Sequence, residues 1–182
     1  MLIGRPYKRT LADQFKHDAR LDLFDGEEAV GGLVYAVRAE TASIELKGET
    51  YTAARARPRM EGKAAYQALI RLARGAEKPP PNPIRLANAA GVALGSADGK
   101  RSPSDIAFGE ASYALRRRSM FSRRYDLHPV GAAAPLGSVG PPRMLSTSLT
   151  ADFPPDVPML LQAFLFALML DMTFAALENS SS

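Results

Sequence analysis

The run Arg116-Arg-Arg-Ser-Met-Phe-Ser-Arg-Arg124 holds five arginines and no acid in nine residues, around a central apolar pair. Guanidinium forks match the geometry of phosphate oxygens, and an apolar tip flanked by cations suits an anionic lipid surface. Near such a surface each cation contributes about 1 kcal/mol, so several act together. Arg116, Arg117, Arg118, Met120, Phe121, Arg123 and Arg124 are therefore the candidate anion- or lipid-binding residues. The same run also has a purely structural reading, because charges keep hairpin ends soluble and guard sheet edges against pairing. Arg55, Arg57 and Arg59 alternate, which would align them on one face of a strand.

Little else in the chain asks for catalysis. There is no cysteine, and the only imidazoles are His17 and His128. Disulfides, thiolate zinc sites, cysteine nucleophiles and multi-histidine metal sites are excluded. Gly95-Ser-Ala-Asp-Gly99-Lys100-Arg101 falls short of a phosphate loop. Three residues separate its glycines where four are needed, and Arg101 stands where a magnesium-holding hydroxyl should be. His128 precedes Pro129 with no supporting motif, and both histidines read as surface residues. Asp13, Asp18, Asp22, Asp25, Glu27 and Glu28 form an acidic stretch without EF-hand order, better read as solvated strand-edge charges. The expectation is a non-enzymatic protein with no catalytic residue, no metal and no cofactor.

Composition bounds what can position the arginines. The 182 residues are 46% hydrophobic and 23% charged, with 14 Gly, 14 Pro and a net charge of +4. That suits one domain, residues 1–182, large enough for a core of its own. A basic balance fits nucleic acid, and a nucleic-acid binder is one alternative. Aromatic residues make up only 8% with no Trp, though, and the arginine run carries no aromatic ladder for stacking. No nucleic acid partner is expected. The opening residues lack the apolar core of a signal peptide, so a cytoplasmic protein, peripheral at a membrane, is the expected setting.

From residue 19 to 150 the chain reads as strands. Ala19–Phe24 alternates and meets the turn pair Asp25-Gly26. Val30–Val37 follows, its two glycines marking a bulge or a close backbone approach. Thr41–Leu46, a Lys47-Gly48-Glu49 turn and Thr50–Arg57 continue the meander. Glu61–Arg74 breaks it with helical spacing of Tyr66, Leu69, Ile70 and Ala73, and Pro79–Pro83 forms a stiff connector. Ile84–Asn88, Val92–Ser96, Ser104–Phe108, Ala111–Arg117, Arg124–His128, Leu136–Val139 and Met144–Thr150 complete a series of about ten to twelve strands.

Residues 156–177 are different in kind. Asp156 is a good N-cap and Pro158 fits a first turn; the apolar stretch that follows predicts a helix about 31 Å long. It is long enough to cross a bilayer. Its nine Leu and Phe residues favour insertion by about 3 to 5 kcal/mol, which Asp171 offsets by up to about 3. A tail anchor spanning 157–177 is one alternative. A helix apolar all round is equally suited to complete enclosure by protein, with Asp171 near one mouth of a closed barrel.

Four stretches carry a resemblance to a known family. They are Ala42–Tyr51, Ala111–Leu127, Leu136–Val139, and Leu149–Pro158 leading into the apolar helix. Their order resembles the tubby C-terminal-like superfamily, which includes LURP-one-related proteins and phospholipid scramblases. The resemblance covers Arg20 to Leu177 and departs from the family pattern at Glu61–Arg74 and the proline connector. It implies a mainly β fold, an antiparallel closed barrel around a hydrophobic C-terminal helix, and a tie to phosphoinositides or membranes; the one additional short helix is expected from the spacing at Glu61–Arg74 alone. No family lipid-binding residue has a match here.

Overall fold

The computed structural model describes residues 1–7, 18–56, 82–98, 104–120, 122–143 and 146–178. Twelve antiparallel strands close into one barrel: β1 (Leu2–Pro6), β2 (Ala19–Asp25), β3 (Glu28–Ala36), β4 (Thr41–Leu46), β5 (Glu49–Arg55), β6 (Ile84–Asn88), β7 (Ala93–Ala97), β8 (Ser104–Phe108), β9 (Ala111–Arg117), β10 (Tyr125–Pro129), β11 (Gly137–Gly140) and β12 (Leu149–Asp152). Each strand pairs with its sequence neighbours, and β1 closes the ring against β12. The expected antiparallel barrel of ten to twelve strands is the observed fold. The expected short helix at Glu61–Arg74 lies outside the described residues.

Period-two alternation fills the interior. Ala19, Leu21 and Leu23 of β2, then Ala42, Ile44 and Leu46 of β4, point inward while their neighbours face out. An eight-stranded barrel is filled by its own side chains; twelve strands leave a bore wide enough for a helix about 10–12 Å across. The helix α1 (Met159–Glu178) occupies it. Every residue from Leu161 to Met169 is buried, so no face of this stretch meets solvent. A segment apolar and long enough to span a membrane is here the core of the barrel. Gly4 of β1 makes room for it: a Cβ there would sit 3.3 Å from the Phe166 ring.

Two expectations need correcting. The strands do not begin at residue 19: Leu2–Pro6 is β1, which closes the ring that a count from Ala19 leaves open. The helix also begins later than 156. Val157 N–H donates to the Pro154 carbonyl in a turn, and the first helical bond runs from Gln162 N–H to the Pro158 carbonyl. Asp156 is thus too far upstream to cap it. Other local signals hold. Val30 is the extra residue of a bulge between the pairs Leu23–Gly31 and Phe24–Ala29, and a Cβ on the adjoining Gly31 would lie 1.8 Å from the Glu45 carbonyl oxygen. Only glycine fits there.

Up-and-down connectivity divides the barrel ends. At one end the strands turn through residues 26–27, 47–48, 89–92, 109–110 and 130–136; this is the turn end. At the other, the loop end, the connections are residues 7–18, 37–40, 56–83, 98–103, 118–124 and 141–148. Helix α1 enters from the turn end after β12, and its last turns reach the loop end.

Candidate functional site

The arginine hairpin is the β9–β10 connection at the loop end. Leu115 and Leu127 are inward partners across this pair. Alternation therefore places Arg116 and Asp126, which also face each other, on the outer wall. Arg118, one step further, grips Asp126: its Nε lies 3.1 Å from Oδ1 and its Nη2 lies 2.8 Å from the same oxygen. That hydrogen bond and the carboxylate charge hold the Arg118 guanidinium still more firmly protonated than usual. Arg117 folds back, donating from Nε to the Ser122 carbonyl at 2.7 Å. Arg124 lies flat across the wall, with one Nη donating to the Ser138 hydroxyl at 2.7 Å and the other to the Thr150 hydroxyl at 3.2 Å.

The structure brings the candidate residues together on one hairpin but divides them by task. Arg117, Arg118 and Arg124 shape the turn and fasten it to the wall. Arg116 and Arg123 are exposed, and Met120 at the tip is 81% exposed, the most open of the large apolar side chains among the described residues. Phe121 lies outside the described residues. Arg143, which the sequence reading passed over, is exposed in the β11–β12 connection at the same end. Its isolation in sequence left no local signal.

A second cluster lies at the same end, across the ring on β3 and β5. Asp171, 5% exposed, accepts from the Tyr35 hydroxyl at 2.8 Å and from Arg55 at 2.5 Å (Nη2 to Oδ2) and 3.3 Å (Nε to Oδ1). Glu40 stands 3.5 Å from the Arg55 Nε. Its backbone is left-handed (φ 50°) at the end of the single-turn 3-10 helix Val37–Ala39. Phe174, one turn beyond Asp171 on the helix, stacks on the Tyr35 ring at 5.5 Å. Burial, and the hydrogen bond to Asp171, push the Tyr35 hydroxyl far above its usual range. This cluster ties β3 and β5 to the emerging helix. Arg55 and Asp171 were each visible in the sequence, but 116 residues separate them and no spacing rule pairs them.

Among the described residues the remaining candidates do not assemble into a site. Gly95 lies within β7, paired on both sides, and Ser104 donates to Asp98 at 2.8 Å; Gly95 is thus part of the sheet, and Gly99, Lys100 and Arg101 lie outside the described residues. His128 belongs to β10, His17 lies outside the described residues, and Arg57 and Arg59 do too. Among the described residues no three His, Asp or Glu side chains gather as a metal site. A closed antiparallel barrel threaded by an apolar helix, with an arginine hairpin at one mouth, is the class that fold and site define. Comparison with models of known families, with curated proteins and with solved structures returned no match.

Proposed function

We propose that this chain is a non-enzymatic binding protein that takes anionic phospholipid headgroups through the β9–β10 hairpin, working peripherally at a cytoplasmic membrane face. The observation that carries the reading is Met120: an exposed methionine at a loop tip, with arginines on both sides. Burying an unbranched apolar side chain between acyl chains while its flanking guanidiniums meet phosphates satisfies both groups at once. The internal hydrogen bonds of Arg117, Arg118 and Arg124 support it by holding the loop in shape, which lowers the ordering cost of binding. We include in this proposal kinship with the tubby C-terminal-like superfamily, for which a barrel around a C-terminal apolar helix is the supporting feature.

The test is co-flotation of the full chain with phosphatidylcholine vesicles, with and without phosphatidylserine. Binding is expected only with phosphatidylserine, falling as salt rises. The double variant R116A/M120S, which leaves the hairpin's own hydrogen bonds intact, is expected to bind at least about fivefold more weakly, the equivalent of one lost cation. Unchanged binding by that variant rejects the hairpin as the site.

A further inference from the structure

Among the described residues, the two ends of the barrel carry opposite charge. At the turn end Asp25, Glu27, Glu28, Glu49, Glu110 and Asp156 are all exposed, and no connection there contains an arginine. The cations of that end are Lys47 and the terminal amine, which is 3.2 Å from Asp25. At the loop end the exposed cations include Arg116, Arg117, Arg123 and Arg143, against Asp18 as the exposed acid of the described connections. A body charged in this way feels a torque near an anionic plane, which draws in one end and repels the other.

Among the described residues, exposed apolar side chains select an arc of the loop end. Tyr7, just past β1, is 69% exposed, and Met120 lies between β9 and β10. Around the ring the order is β1, β12, β11, β10, β9, so Tyr7 and Met120 lie three to four strands apart. At about 4.8 Å per strand the separation along the rim is about 14–19 Å. Arg143 leaves the ring between them, from the β11–β12 connection. A tyrosine with an apolar body and a polar tip, a methionine, and arginines between them make a row suited to the headgroup boundary.

We infer that the barrel stands end-on on an anionic bilayer, with its loop end down and its axis along the bilayer normal, anchored along the arc from Tyr7 through Arg143 to Met120. This rests on the lipid-binding reading of the hairpin and extends it to a second anchor and a fixed pose. Exposed apolar groups alone do not choose the end, because Val92 (56%) and Val130 (69%) are exposed at the turn end. Charge makes the choice.

The absence of cysteine makes the test direct. Single variants Y7C, M120C, V92C and V130C of the full chain are labelled with an environment-sensitive fluorophore and mixed with phosphatidylcholine vesicles containing phosphatidylserine. Labels at 7 and 120 are expected to shift to the blue and to be quenched by lipid-borne quenchers; labels at 92 and 130 are expected to read as in buffer. R143A, leaving the hairpin untouched, is expected to bind about fivefold more weakly. Embedding at 120 without 7, with R143A unchanged, overturns the end-on pose and leaves the hairpin reading standing. Embedding at 92 or 130 overturns the pose by placing the acidic end down. Failure of unlabelled chain to bind these vesicles at low salt overturns both.

Discussion

Arg55 and Arg118 each hold an aspartate, and the two pairs sit at the same end of the same barrel. Their surroundings set them apart. The side chains of Arg55 and Asp171 are 17% and 7% exposed, whereas Arg118 is 51% exposed. In the first pair the carboxylate sits on an otherwise apolar helix and has no water to fall back on. Tyr35 and Arg55 must satisfy it together, and in doing so they fix the depth at which the helix stops. In the second, Asp126 is 16% exposed but Arg118 stands open to water, so the pair shapes a loop without holding the fold. One end of the molecule therefore joins a rigid interior lock to a surface hairpin that keeps Arg116 and Met120 exposed.

The strongest way to break this contrast is to remove the interior partner altogether. A chain ending at Pro158 lacks Leu161, Phe164, Leu165 and Phe166, all fully buried. Truncating any one of them to Ala is expected to cost about 3–5 kcal/mol. Together the losses exceed the about 5–15 kcal/mol that holds a domain folded. The shortened chain is expected to show no cooperative urea transition. If it is soluble and unfolds cooperatively, the helix is dispensable to the barrel, and a membrane-spanning role for residues 157–177 gains the support lost by the enclosed one.

The next effect sharpens the comparison between the pairs. Arg55→Ala leaves Asp171 charged and buried, and is expected to destabilise by about 3–5 kcal/mol. Arg118→Ala is expected to cost less than about 1 kcal/mol, and less again in high salt. Chemical denaturation of the two variants measures both. Adding Asp171→Ala to Arg55→Ala should recover part of the loss, since the orphaned charge goes with it. Equal costs for Arg55→Ala and Arg118→Ala would mean that burial does not separate them.

Legibility in the sequence follows the same division between local and distant. Thr41–Leu46, Ile84–Asn88, Ser104–Phe108 and Ala111–Arg117 are read to the residue because alternation and turn chemistry are local properties. Leu2–Pro6 escapes because Gly4 and Pro6 interrupt its alternation, and its reason to be a strand is the edge that β12 offers 145 residues later in register, Gly4 opposite Leu149. The apolar helix announces its need for shelter, yet its start slips because Asp156 has the right type in the wrong geometry. The arginine hairpin is legible as a cluster. Its division of labour is not, because the partners Ser138 and Thr150 arrive on other strands. Tyr35 is the fullest omission: nothing near it in sequence suggests a carboxylate.

Tyr35 also offers the smallest and most specific test of the interior lock. Tyr35→Phe removes one buried hydrogen bond to Asp171 while keeping the ring stacked on Phe174, at a cost of about 1–2 kcal/mol at neutral pH. The pH profile distinguishes this from a mere loss of packing. Burial and Asp171 raise the Tyr35 hydroxyl above its ordinary value of 10.0, so above that pH an unfolded chain releases this proton while the folded chain keeps it. The stabilisation Tyr35 provides is thus complete below about pH 10 and declines as pH rises from there toward its raised folded value. Urea midpoints taken from neutral to alkaline pH should fall more steeply for the parent than for Tyr35→Phe, and the two curves should converge above pH 10. Parallel curves would place Tyr35 outside the lock and leave Arg55 as the group that answers Asp171.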